Sequence, residues 1–583
     1  MQIHPIDIGI VVLYFVFVIA IGLRFSGKAG KSIEEYFISG RSLPWWLAGT
    51  SMVATTFAAD TPLAVTGLVA EHGVAGNWLW WNLLFSGMMT VFLFSRLWRR
   101  AEVMTDVEFT EIRYSGRPAA VLRGFRAVYL AIPINGIVMG WVMLAMAKIL
   151  SITLGVDRWV ALAVCVSVPF LYSFLAGLWG VVVTDFFQFI LAVAGTLSLA
   201  YYAVDAVGGI SGLKEGLALH YGSAEEILAF VPKPGSPWMP VITFLVYIAV
   251  NWWASWYPGG EPGGGGYIAQ RMYAAKDEKH ALGATLWFNI AHYALRSWPW
   301  ILVALASMVL YPNLEDPESG YVLTMVNVLP VGMRGILLAT FAAAFMSTIS
   351  TQLNLGSSYL VNDVYKRFIR KSASDREYVL AGRLATVVIL LVGAVATWSM
   401  ETVAGAWRFL LAIGAGTGSV YILRWYWWRI NAWSEISAMA TSFIGATFLQ
   451  VVVGWDGGDP KQFAWLMLGT LAISTITWVM VTFLTKPEND ETMDSFYRRV
   501  YPGGPGWKRV AERVGMDSTE NTILPDLGAF LLGSLLVLGL MFGIGKLVLG
   551  FVLPGVLYLL LAGVSGWGIW RLLERSGWKS LRT

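Results

Sequence analysis

The stretch "AAAFMSTISTQLN", residues 342–354, decides how the rest of the chain is read. It lies between "MRGILLATFAAAF" (333–345) and "LGSSYLVNDVYKRF" (355–368), inside one long, mostly apolar helical pattern. Ser347, Thr348, Ser350 and Thr351 nevertheless follow one another closely, with Asn354 a turn later. At about 100° per residue these side chains fall on one half of the helix, and Ala343, Ala344, Ser358 and Asn362 extend the same face. Small and hydroxylated residues also let helices pack closely in lipid. Packing, however, asks for a small residue about once per helical turn, and this face carries more oxygen than that. A chargeless, oxygen-rich cluster suits a hard cation.

The surroundings are those of a membrane protein. Of 583 residues, 57% are hydrophobic and only 13% charged, against about a quarter charged in soluble domains. Apolar runs long enough to span a bilayer core of about 30 Å recur along the chain, at 5–24, 44–70, 77–98, 121–153, 158–176, 180–205, 237–258, 281–310, 330–362, 379–400, 405–430, 433–456, 462–485, 525–547 and 550–573. The expected class is an all-α polytopic protein of about 15 transmembrane helices. Basic loops follow the first, third, seventh, ninth and eleventh runs, as in "RFSGKAGKSIEEYFISGR" (24–41) and "QRMYAAKDEK" (270–279). Loops such as "YPNLEDPESG" (311–320) are acidic or neutral. Basic loops stay cytoplasmic, so the expected placement is a multi-pass cell-membrane protein, N-terminus outside and C-terminus cytoplasmic. The polar stretch 486–524 reads as a cytoplasmic loop.

Enzymatic chemistry finds little support. Cys165 is the single cysteine, the five histidines are scattered, and His292, the one histidine in mid-span, has no evident partner in the sequence. The glycine-rich "GGEPGGGG" (259–266) lacks the lysine and strand context of a phosphate loop. The basic loops account for the net charge of +4 and give no reason to invoke nucleic acid.

Polar groups inside membrane spans are costly, and so mark function. "SMVATTFAADTPLAVTG" (51–67) carries Thr55, Thr56, Asp60, Thr61 and Pro62 in mid-span, and the proline frees carbonyls one turn back, near Phe57 and Ala58. Asp185 and Gln188 open the sixth run. The seventh dissolves into "NWWASWYPGGEPGGGGYIAQR" (251–271), which no continuous helix accommodates. Interrupted helices in corresponding positions of two halves point to a transporter's midplane site.

"SLPWWLAGTSMVATTFAAD" (42–60), "GLWGVVVTDFFQFI" (177–190), "GGYIAQRMYAAKDEKHA" (265–281), "AAAFMSTISTQLNLGSSYLVNDVYKRF" (342–368) and "GAGTGSVYILRWYWWRI" (414–430), in this order, make the chain resemble the sodium/solute symporter family. That family includes the sodium/glucose, sodium/proline and sodium/sialic acid symporters. The resemblance implies a leucine-transporter-like fold of two inverted five-helix repeats, here 44–236 and 237–432. An N-terminal extra helix would occupy 1–43, and about four C-terminal extra helices 433–583. It also implies a first sodium held by the carbonyls of Ala54, Phe57 and Ala344 and the hydroxyls of Ser347 and Thr348. Asp185, Ser347, Ser350 and Thr351 stand where some members hold a second ion.

For the solute, Asp60 and Thr61 stand where the sugar branch has an acid followed by glutamine. Tyr267 matches the aromatic that covers the sugar from inside, and Arg296 falls near a substrate-touching lysine. Glu261 has no counterpart in the family pattern, but sits in the second break. Trp253 and Trp256 offer faces for a sugar ring or a cation, unless they serve as interface anchors. These residues suggest a monomeric sodium-coupled importer of a small polar organic solute, preferably a sugar or polyol, working by alternating access. A sodium-coupled amino-acid or carboxylate symporter, and a membrane sensor acting through a partner, are the alternatives.

Overall fold

The computed structural model describes residues 4–29, 38–103, 105–157, 159–163, 178–233, 235–255, 261–516 and 523–575, and the secondary structure of these residues is helical. Among them, nine helices are long and apolar enough to cross a membrane, or up to eleven if each of two bent pairs is one span. Most of the expected span 158–176 lies outside the described residues. Helices occupy the other expected positions.

The chain runs through α1 (Pro5–Ala29), α2 (Trp45–Thr56), α3 (Asp60–His72), α4 (Val74–Ala101), α5 (Gly116–Leu154), α6 (Leu178–Ala206) and α7 (Gly209–Tyr221). It continues with α8 (Val241–Ala254), α9 (Gly266–Tyr273), α10 (Glu278–Leu310), α11 (Met333–Ile369), α12 (Asp375–Trp398), α13 (Val403–Gly414) and α14 (Gly418–Tyr426). It ends with α15 (Ala432–Val451), α16 (Pro460–Leu484), α17 (Ile523–Val548) and α18 (Val552–Arg575), with two short helices, Asp490–Val500 and Lys508–Val514, between α16 and α17.

Three interruptions shape the centre. Between α2 and α3 the axis turns by 60°. Pro62 explains where: proline fits the first turn of a helix, whose amides need no partner, but not a helix interior. A new helix therefore starts at Asp60, and Phe57 leaves helical geometry with ψ 72°. The second break lies between Ala254 and Gly266, where Gly263, Gly264 and Gly266 take φ of +85°, +90° and +54°. Only glycine enters that region without strain.

The third interruption corrects the sequence reading, which ran 405–430 as one helix. Here α13 and α14 meet at 51°. Side chains of neighbouring helices take over the backbone groups at the bend: Gly416 N–H donates to Ser442 Oγ at 3.0 Å, and Ser474 Oγ donates to the Gly416 carbonyl at 2.6 Å. Such insertion into the hydrogen-bond ladder is an established cause of kinks. A Cβ on Gly418 would lie 2.3 Å from the Trp253 carbonyl oxygen and 2.4 Å from that of Ala254. The bend thus sits against the end of α8, where Ser255 Oγ donates to the Leu411 carbonyl at 2.8 Å.

Around the first break, α6 packs on α2, α10 runs along both α2 and α3, α11 crosses α2, and α13 lies on α3. Gly418→Ala forces a methyl group into backbone that cannot move aside. It should cost about 1–3 kcal/mol, read as a lowered melting temperature of the detergent-solubilised protein.

Candidate functional site: the helix break and the cavity beside it

A helix that stops inside the bundle leaves carbonyls without amide partners, and two side chains answer those at the end of α2. Arg296 donates to the Thr56 carbonyl at 3.2 Å, and also at 2.8 Å to the Val53 carbonyl, which accepts from the Phe57 amide at 2.9 Å as well. Thr348, from α11, donates to the Thr55 carbonyl at 3.3 Å and to its own Ala344 carbonyl at 3.0 Å. Arg296 is placed by a wide turn in α10, its amide bonding the Ala291 carbonyl five residues back at 3.2 Å. Ala54, Phe57, Ala344, Ser347 and Thr348 are all buried here.

Asp185 stands one layer deeper. Ser347 Oγ donates to its Oδ1 at 2.7 Å, Ser51 Oγ to its Oδ2 at 2.7 Å, and Thr55 Oγ1 approaches Oδ2 at 3.5 Å. The Arg271 guanidinium is 3.9 Å from Oδ2 and donates to Ser51 Oγ at 3.3 Å. Ser350 reaches only the Ser347 carbonyl, at 3.1 Å, and Thr351 Oγ1 is buried with no hydrogen-bond partner among the described residues. Of the expected second-ion group, Asp185 and Ser347 therefore meet directly, and Ser350 and Thr351 do not touch the acid. Ser51 and Arg271 were missed as Asp185 partners, because they lie 134 and 86 positions away in sequence and only folding aligns them.

On the other side of the break, Asp60 begins α3, buried, facing Trp407 and the charge of Arg296, with Oδ1 unpartnered among the described residues. Thr61 Oγ1 donates across the break to the Thr56 carbonyl at 3.4 Å. His292, without an evident partner in the sequence, contacts Arg296 and lies 3.4 Å from Thr56 Oγ1. Tyr267 is buried, its ring 5.9 Å from the Arg271 guanidinium carbon. Trp253 turns its indole N–H back to the Ala249 carbonyl at 2.6 Å, and Trp256 lies outside the described residues.

A cavity of about 90 Å³ opens between α5, the second break, α11, α13 and α14, lined among others by Asn135, Ser255, Glu261, Gln352, Tyr359 and Tyr421. Glu261 was expected to reach solute, yet both of its oxygens are engaged by arginines. Arg126 binds Oε2 at 2.6 Å and Arg424 binds Oε1. The two arginines also meet Glu435, at 3.2 and 3.4 Å, and each lies 5.0 Å from the Tyr421 ring centre. Tyr114 donates to Glu435 Oε1 at 2.5 Å. Beside this group, Asp106 accepts from Tyr359 OH at 2.5 Å and from Gly266 N–H at 3.0 Å. This four-charge cluster is not legible in the sequence because its members stand on four different helices or loops.

The model of the sodium:solute symporter family matches residues 36–445. The chain belongs to the sodium:solute symporter family. It is 25% identical over 547 residues to the sodium/myo-inositol cotransporter 2 of Oryctolagus cuniculus, covering 84% of this chain and 78% of that one. To the sodium/glucose cotransporter of Vibrio parahaemolyticus it is 25% identical over 513 residues, 83% of this chain and 91% of that one. A solved Na+-coupled sialic acid symporter superposes with a TM-score of 0.66 at 18% identity, covering 83% of this chain and 99% of the other. The symporter is thus an all-helical, leucine-transporter-like membrane protein, a sodium-coupled carrier of a small solute and not an enzyme.

In this symporter the Glu261 cluster makes a sharp energetic demand. Removing one partner of a buried ion group typically costs about 3–5 kcal/mol, since two guanidinium groups would then share Glu435. Glu261→Ala should lower the melting temperature well beyond Gly418→Ala. In a double-mutant cycle with Arg424→Met the two losses should fall clearly short of additive.

Proposed function

We propose that the chain imports a sugar or polyol with sodium by alternating access, with the N-terminus outside and the C-terminus cytoplasmic. Residues 44–236 and 237–432 are read as its two inverted repeats, 1–43 and 433–583 as extra helices around them. The observation that carries this reading is the meeting of Thr348 with the Thr55 carbonyl at the end of α2. It brings the hydroxyl face of α11 against backbone carbonyls that have left their helix, the oxygen environment a sodium ion requires. Ala54, Phe57, Ala344, Ser347 and Thr348 are the proposed ligands. Asp185, bonded to Ser347 and Ser51, is the proposed anchor of a second ion, with Ser350 and Thr351 close by on α11.

The coupling follows from chain connectivity. Three residues, Phe57 to Ala59, separate the end of α2 from Asp60. An ion that orders those residues also orients the unpartnered oxygen of Asp60 and the hydroxyl of Thr61, so ion and solute favour one another's binding. The ion must bind the outward-facing state better than the inward-facing one, or no coupling results. Tyr267 and Arg296 complete the proposed solute surroundings. Glu261 is held in the cavity wall by Arg126 and Arg424. The myo-inositol and glucose relatives support a polyhydroxylated solute, which suits a carboxylate that accepts hydroxyl hydrogen bonds.

Purified protein in liposomes should accumulate labelled myo-inositol or glucose under an inward sodium gradient, and should not when choline replaces sodium. Absence of sodium-driven uptake for both solutes would refute the sugar or polyol reading. Thr348→Ala and Ser347→Ala should raise the sodium concentration for half-maximal uptake with expression retained; an unchanged sodium dependence in both would assign the hydroxyls to packing. Asp60→Asn should weaken solute binding by about one to two orders of magnitude, the loss of one charge-assisted hydrogen bond. Solute-free sodium binding should persist in that variant, and its loss would move Asp60 to the ion site.

A further inference from the structure

At the hairpin between α17 and α18, two lysines share one aromatic ring. α17 ends at Val548, and Gly550 turns the chain with φ +81°, so that the Phe551 amide closes on the Lys546 carbonyl at 2.7 Å. This folds the Phe551 ring back over Lys546, whose ammonium lies 4.8 Å from its centre and 4.2 Å from that of Phe230. Lys214, from α7, brings a second ammonium to 4.2 Å from the same Phe551 ring. Both lysines are half-buried. Among the described residues neither forms an ion pair or a hydrogen bond, and the neighbouring Glu215 is turned to the exposed side.

Two cations against one ring repel each other, and a ring contact near solvent returns only a small attraction. An anion between them removes that repulsion. The surface leading away from the pair says which anion. Leu553, Leu557, Leu560, Val564 and Trp567 are exposed and fall at helical spacing along α18, forming an apolar stripe that starts beside Phe551 and runs down a membrane-spanning helix. A soluble anion has no use for that stripe. A phospholipid places its charge at the helix end and its acyl chains along the stripe.

We propose that Lys214 and Lys546 clamp the phosphate of an anionic phospholipid whose acyl chains lie along the exposed face of α18. The site is independent of the transported solute and asks only that the chain span a bilayer. On the orientation proposed above it faces the outer leaflet.

The test is native mass spectrometry of the full chain in detergent, titrated with phosphatidylglycerol, with phosphatidylcholine and with inorganic phosphate. Wild type should retain one phosphatidylglycerol in preference to phosphatidylcholine. Lys214→Gln/Lys546→Gln should weaken that binding by about tenfold or more, since each lysine near an anionic headgroup contributes about 1 kcal/mol. Lys214→Arg/Lys546→Arg should restore it, which separates loss of charge from loss of fold. Equal retention by wild type and the glutamine variant overturns the proposal. So does displacement of the lipid by millimolar inorganic phosphate, which would mark a site for a soluble anion.

Discussion

Backbone carbonyls released inside a membrane bundle find neither water nor lipid to bond with, and the break at 57–59 sets this requirement for everything around it. Arg296 and Thr348 approach from two different helices to meet the carbonyls of Thr56 and Thr55, and Arg296 also shares the Val53 carbonyl with the Phe57 amide. α10 and α11 are thereby tied to the same few atoms. Because those ties are hydrogen bonds to a helix end, and not apolar contacts alone, they have direction. A cation entering the cluster would compete for the same lone pairs, which is a physical route from ion occupancy to helix geometry.

Charge clusters close the two ends of the central region. At one end Glu261, Arg126, Arg424 and Glu435 join α5, the second break, α14 and α15. At the other, Glu318 accepts from the Val403 amide at 2.9 Å, at the start of α13, and from Lys148 of α5 at 2.8 Å. A Cβ on Gly67 would lie 2.9 Å from the Glu318 side chain, so α3 is drawn into the same contact. α5 and the bent α13–α14 pair take part in both clusters. Buried ion groups contribute little net stability over apolar packing of the same volume. Their effect here is to specify which helix ends meet.

Much of this was legible from residue order. The apolar runs, the hydroxyl face of 342–354, the proline at 62 and the glycine run at 263–266 each act through local chemistry. The helices, the first break and the second break accordingly fall where those residues place them. The bend between α13 and α14 was not legible, because its cause is Ser442 and Ser474 on two other helices. The partners of Glu261 were hidden for the same reason: an acid in a glycine-rich break shows no partner until Arg126 and Arg424 arrive from elsewhere.

What the sequence determined by itself, then, was the all-helical membrane class, the family and the places where helices must stop, since hydrophobic length, proline and glycine act within a few residues of themselves. Which polar side chains meet was decided only by the tertiary structure. Ser51 with Asp185, Arg296 with the Val53 carbonyl and Arg424 with Glu261 are separated by 134, 243 and 163 positions. In a medium that solvates no charge, a buried polar group must find a partner, but residue order along one helix does not say on which other helix that partner stands.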